Sequence, residues 1–195
     1  MEREKVLDLF KETHALLEGH FQLTSGLHSN QYFQCAKVLQ YPRYMELLCG
    51  EIARHFQGHH VDVVVAPALG GIVVGQEVGR QLRARSIFAE RKDGVLQLRR
   101  GFSIQQGERI LVCEDVVTTG GSVSEVIRIA RDAGGTVSGV GYVVDRSGGR
   151  VSFGLEHPED QYAVLHMDVV TYAPDACPLC AAGTPAVKPG SRGTM

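Results

Sequence analysis

A chain of 195 residues with 44% hydrophobic and 22% charged side chains has the size and composition of one globular domain, and it can form a core without disulfides or metals. A formal net charge of -2 gives no overall attraction to nucleic acid, and no apolar run approaches a membrane span or a signal segment. The expectation is therefore a cytoplasmic protein with neither a nucleic-acid nor a membrane partner.

In the first segment Val6, Leu7, Phe10 and Leu17 recur at helical spacing, and after Pro42 so do Met45, Leu48, Ile52 and Phe56. Between these amphipathic helices "FQLTSGLHSNQYFQCAKVL" is broken by Gly26 and polar residues, as in a short hairpin or ribbon. His55 and His59 have i,i+4 spacing, but Gly58 interrupts the helix between them, so a helix-end pair is expected rather than a metal site.

From Val61, "VDVVVAPALGGIVVGQEVGRQL" reads as a buried parallel strand, a turn and a crossover helix. "SIFAE" and "VLQL" flank the turn-like "RKDG", giving a hairpin or mobile flap. "RILVCE" is then a strand, "SVSEVIRIARDAG" a helix and "VSGVGYVVD" a further buried strand. Such alternation predicts an α/β fold: a mainly parallel central sheet flanked by helices, with a small N-terminal helix and ribbon hood. The expected organisation is a single domain over 1–182, with hood elements mostly in 1–41 and the α/β core in 60–172. The Gly- and Pro-rich 183–195 should be a disordered tail.

Cys35, Cys49 and Cys113 are isolated and suit reduced, buried thiols. Cys177 and Cys180 form a C-x-x-C pair that can supply half of a zinc site or a redox couple. No second ligand pair follows it and no thioredoxin-like context surrounds it, so neither role is expected.

Ligands of parallel sheets bind at the carboxyl ends of strands, so "PALGG", "EDVVTTGGS" and "DRSGG", each following a strand, should share one edge. Ser122 with Glu125 has the form of a capping box opening a helix whose apolar face is Val123, Val126, Ile127 and Ala130. The amides and hydroxyls of Thr118, Thr119, Gly120, Gly121 and Ser122 then face an anion at the helix N-terminus. No P-loop lysine follows Gly121, and the dinucleotide-binding fingerprint is absent. Glu114 and Asp115, which would repel a bare anion, fit a ligand with a phosphate at one end and sugar hydroxyls beside it. They also tolerate a hydrated Mg²⁺.

The run "VCEDVVTTGGS" resembles the ribose-phosphate signature of phosphoribosyltransferases that use phosphoribosyl diphosphate (PRPP). The resemblance implies that Glu114 and Asp115 hold ribose hydroxyls, that Val116 to Ser122 wrap the phosphate, and that Ala68, Leu69, Gly70 and Gly71 form the diphosphate turn, often with a cis peptide. "LLEGHFQLTSGLHSNQYFQ", "VVDR" and "PDACPLCAAGTP" resemble the orotate branch of this family. By that likeness Ser25, Tyr32, Phe33, Thr118 and Arg146 contact orotate, with Arg146 reading its carboxylate. Mg²⁺ would be held mainly by diphosphate and water, without an assigned protein ligand.

Seven basic residues lie between Arg80 and Arg100 against only Glu90 and Asp93, a local basic zone in a weakly acidic chain. Arg91 and Lys92 fall where the family carries a mobile basic loop, which implies catalytic roles for them and for Asp115. Loop exchange between subunits of a homodimer is implied as well. Thr24 and Gly70 occupy positions where many relatives have Lys, and the loop is short. A purine-type enzyme and a PRPP-sensing regulator are the alternatives; no DNA-binding element precedes the α/β pattern to favour regulation.

Overall fold

β-Branched residues dominate the central strands because both faces of the sheet are covered. In the computed structural model, which describes residues 1–23 and 25–189, β3 (Val63–Pro67) is buried at every position. Around it lie β6 (Arg109–Val117), β7 (Thr136–Asp145) and β8 (Gln161–His166) on one side, and β4 (Arg85–Lys92) with β5 (Val95–Leu98) on the other. The order is β5-β4-β3-β6-β7-β8, parallel except for the β4–β5 hairpin. The expected mainly parallel α/β sheet is thus present. β8 is an additional strand, because "QYAVLH" is short and its alternation is interrupted by polar residues.

Alternate residues of one strand face opposite layers. Val64 and Leu111 pack with α4 (Gly70–Leu82) and α3 (Pro42–His55), whereas Val63, Val65, Ile110 and Val112 pack with α5 (Gly121–Asp132). The apolar face expected for α5, comprising Val123, Val126, Ile127 and Ala130, is buried. Fully burying each of the three larger side chains, Val123, Val126 and Ile127, contributes about 1.5–3 kcal/mol before entropy is charged.

The hood comprises α1 (Arg3–Glu12) and a sheet in which β1 (Leu16–Gln22) pairs with β2 (His28–Phe33), and β2 with β9 (Thr171–Tyr172). Short α2 (Ala36–Leu39) leads from it into α3. The hood is therefore closed by a strand from the far end of the chain. After α6 (Pro178–Ala181), the backbone of Val187 exchanges hydrogen bonds of 2.8 Å with Gln22 and His20. Residues 184–187 are thus tied to β1, where a tail was expected from 183; residues 190–195 lie outside the described residues. Among the described residues, no helix is long and apolar enough to cross a membrane.

Candidate active site

The crossover from β3 through α4 runs to β4, whereas that from β6 through α5 runs to β7 in the opposite direction. Between β3 and β6 the winding reverses, which opens a crevice at the strands' carboxyl ends. "PALGG" follows β3, "TTGGS" follows β6 and "RSGG" follows β7, so the parallel register delivers all three loops to the same edge.

In the first loop the Ala68–Leu69 peptide is cis, and α4 begins immediately at Gly70. The absence of side chains at Gly70 and Gly71 brings this turn against the acids of β6. A β-carbon on Gly71 would stand 2.9 Å from Glu114 Oε1, and one on Gly70 would stand 2.6 Å from Asp115 Cγ.

The second loop encloses a pocket of about 200 Å³ lined by Glu114 and by Val116 to Val123. No lining residue is Lys or Arg, so backbone amides, the Thr and Ser hydroxyls and the α5 N-terminus supply the attraction for an anion. Gly120 adopts φ 75° and packs so closely on Phe153 that a β-carbon there would approach its ring to 2.8 Å. Larger cavities occur elsewhere; one of about 630 Å³ between α3 and α4 has none of these loops in its wall. Chemistry, not volume, selects the site.

Ser122 lies inside α5 rather than at its cap, which is Gly120 in a left-handed conformation with no side-chain cap bond. The expected capping box is absent because the helix starts two residues earlier, at a Gly120 cap, so Glu125 is not the third helical residue. Its carboxylate accepts from Arg91 at 2.8 Å and from the backbone N–H of Leu96 at 3.2 Å. The Arg91 bond, then the Leu96 bond, hold Glu125 below its ordinary pKa.

Burial, followed by the adjacent Asp115 charge, raises the Glu114 carboxyl to about 9. Glu114 is therefore held towards its protonated form, in which it can donate as well as accept. Asp115 Oδ1 accepts from the Val116 N–H at 2.9 Å.

Arg146 follows β7, and its N–H donates to the Val117 carbonyl at 2.8 Å, locking the third loop to the second. The guanidinium lies 5.7 Å from the Phe33 ring centre, and its buried Nε has no hydrogen-bond partner among the described residues. Burial lowers its pKa. Asp145, fully buried, accepts from the N–H groups of Ser147 at 2.7 Å and Gly149 at 3.0 Å and lies 3.1 Å from His166 Nδ1. Burial opposes its ionisation, but these hydrogen bonds outweigh it and hold the pKa low. An acid followed by Arg-Ser-Gly-Gly is the signature of an Asx-type turn, so the role of Asp145 is legible in its local sequence.

The aromatic candidates divide between surroundings. Phe33 is buried against Phe10 and under Arg146, while Tyr32, half-buried, tilts against Phe21. Ser25 is exposed on the β1–β2 connection, where its Oγ accepts weakly from Leu27 N–H at 3.5 Å; Thr24 lies outside the described residues. Arg91 and Lys92 continue strand β4, so the turn is Asp93-Gly94 alone, with φ of 52° and 84°. Two consecutive positive φ values match the hairpin twist, which explains why the segment forms a regular hairpin rather than an open loop.

His55 and His59 do not converge. His55 meets the Glu159 carbonyl at 2.6 Å and His59 meets Asp160 at 3.3 Å.

The model of the phosphoribosyl transferase domain matches residues 43–152, the span that contains all three loops. Fold and crevice are those of the phosphoribosyltransferases. An orotate phosphoribosyltransferase from Chlorobium phaeobacteroides is 58% identical over 192 residues, covering 98% of this chain and 97% of that one. The chain therefore belongs to the orotate phosphoribosyltransferase family. Two solved structures are similar in fold. The orotate phosphoribosyltransferase from Aeropyrum pernix has TM-score 0.70 and 21% identity over 83% of this chain and 93% of that one. The adenine phosphoribosyltransferase from Rhodothermus marinus has TM-score 0.66 and 19% identity over 84% and 99%. Because enzymes for different bases share the fold, fold does not choose the acceptor.

Proposed function

We propose that the protein transfers the phosphoribosyl group of PRPP to orotate, giving orotidine 5'-monophosphate and diphosphate in pyrimidine (UMP) synthesis. The observation that carries the choice of base is Arg146, a partly buried guanidinium whose Nε has no partner among the described residues, on the loop locked to the phosphate cradle. A carboxylate on the base supplies the missing acceptor through two parallel charged hydrogen bonds; adenine and hypoxanthine carry no carboxylate.

The 5'-phosphate occupies the Thr118–Ser122 cradle, ribose hydroxyls meet Glu114 and Asp115, and the diphosphate lies against Ala68 to Gly71. When the bond between ribose C1 and the diphosphate oxygen breaks, its electron pair leaves with diphosphate and positive charge develops on the ribose. Orotate N1 bonds to C1 as its proton passes to water. The chain's contribution is to hold the base in line and to stabilise the leaving group, with no enzyme nucleophile required.

The site fits Mg²⁺, since the Asp115 carboxylate adjoins the diphosphate turn with the oxygens of Glu114 beside it, and no cationic side chain lines the cradle. Glu114 and Asp115 would hold it through water alongside the diphosphate, where bound Mg²⁺ neutralises charge on the leaving group. Arg91 and Lys92 act on the same charge when the hairpin tip closes, reaching the neighbouring site of a cytoplasmic homodimer. Closure also excludes the water that would hydrolyse PRPP.

The test offers orotate, uracil, adenine and hypoxanthine in parallel with Mg²⁺-PRPP and measures diphosphate release. Turnover with orotate alone is expected, and turnover of a purine without orotate turnover refutes the assignment.

A further inference from the structure

The C-x-x-C pair, for which the sequence offered no companion, meets two histidines in the fold. His20 and His28 are diagonal neighbours on one face of the β1–β2 pair, because Gln22 pairs with His28 and Phe21 with Ser29. Cys177 caps α6, and Cys180 lies within its single turn, so the three-residue spacing presents both thiols to the same side. His20 Nε2 lies 2.8 Å from His28 Nδ1, 3.5 Å from Cys177 Sγ and 3.7 Å from Cys180 Sγ, while Cys180 Sγ lies 3.3 Å from His28 Nδ1. All four ligand atoms fall within 4.8 Å of one another, and His20, His28 and Cys177 are buried.

We propose that His20, His28, Cys177 and Cys180 bind one Zn²⁺ ion in a closed tetrahedral site that clamps the C-terminal segment to the hood. With Zn–S of about 2.3 Å and Zn–N of about 2.0–2.1 Å, tetrahedral sulfur and nitrogen ligands stand roughly 3.5 Å apart, matching the observed sulfur–nitrogen separations. Two nitrogen ligands would stand about 3.3 Å apart, so the imidazoles separate slightly as the ion enters.

The surroundings support this chemistry. His20 Nδ1 lies 2.7 Å from the Thr184 carbonyl, which can only accept, so the ring proton sits on Nδ1 and the Nε2 lone pair faces the cluster. One imidazole lone pair accepts one hydrogen bond, yet three potential ligand atoms crowd around it; a cation accounts for the convergence. Both thiols are free, as ligation requires. Four protein ligands leave no open position, so the role is structural rather than catalytic. The ion would close a circuit from β1 and β2 through α6 to Thr184 and the Val187 bridge beside Phe21.

The test uses the full-length chain, loaded with Zn²⁺ under reducing conditions and then desalted. Elemental analysis should find about one zinc per chain, and Co²⁺ substitution should give thiolate-to-metal charge transfer with the intense visible bands of a tetrahedral site. Cys180→Ser, at an exposed position, should lower zinc affinity at least about tenfold and weaken the charge-transfer band. Wild-type protein that holds less than about a tenth of a zinc per chain and gives no tetrahedral Co²⁺ spectrum overturns the proposal. So does a Cys177→Ser, Cys180→Ser double variant that keeps zinc at the wild-type level.

Discussion

Gly70 and Asp115 pack so closely that a β-carbon on Gly70 would lie 2.6 Å from the Asp115 carboxyl carbon and 2.8 Å from its Oδ1. The turn after β3 and the acids of β6 are consequently in direct contact, which only the missing side chain at Gly70 permits where β3 and β6 adjoin.

Gly70→Ala should therefore displace Asp115 while leaving the core intact. The expected result is a loss of PRPP affinity of about tenfold or more, equivalent to at least 1.4 kcal/mol, read by calorimetric titration. Gly58→Ala, with no atom near the added carbon, serves as the control and should bind PRPP as wild type does.

Glu114 imposes a pH dependence on stability. Its carboxyl, ordinarily 4.5, is raised to about 9 in the folded chain by burial and then by Asp115. Between these values the folded state retains a proton that the unfolded state has released, so stability from this group is complete below 4.5 and declines as pH rises towards 9. Glu114→Gln removes the titration, and thermal melts of this variant across that window should show a flatter slope than wild type. Equal slopes would show that Glu114 is already ionised.

Arg146→Lys retains the positive charge but loses the planar fork. KM for orotate should rise by about one to two orders of magnitude, with PRPP affinity nearly unchanged. Asp145→Asn, which weakens the bonds to Ser147 and Gly149 that shape the loop, should shift orotate KM in the same direction through position alone. An unaltered orotate KM in Arg146→Lys would remove this residue from the acceptor site.

The Arg91–Glu125 pair separates folding from turnover. Exposed ion pairs contribute little to stability, so Arg91→Ala should melt near the wild-type temperature. If Arg91 acts on the diphosphate, kcat should fall about tenfold or more, as it should in Lys92→Ala. Wild-type turnover in both variants would leave the hairpin without a catalytic task.

The sequence by itself determined the elements whose signals are local. The β-branched run at Val63 to Val65, the 3.6-residue face of α5 and the Glu-Asp end of β6 with the Thr-Thr-Gly-Gly turn after it depend on neighbouring residues only, and they specified the α/β sheet and the loop at the α5 N-terminus. What depends on distant partners was decided by tertiary structure. Ser122 and Glu125 match a capping box in sequence, but the helix is capped at Gly120, and Glu125 accepts instead from Arg91 and Leu96 of the β4–β5 hairpin. Asp145 anchors its turn through local bonds to Ser147 and Gly149, but its contact with His166 exists only because β8 pairs with β7. Cys177 and Cys180 found His20 and His28 because β9 and α6 return the chain to the hood, joining residues more than 150 positions apart. Periodicity reports which face of a segment is apolar, but a polar side chain's partner is set by which segments the buried sheet brings together, and no local pattern carries that information.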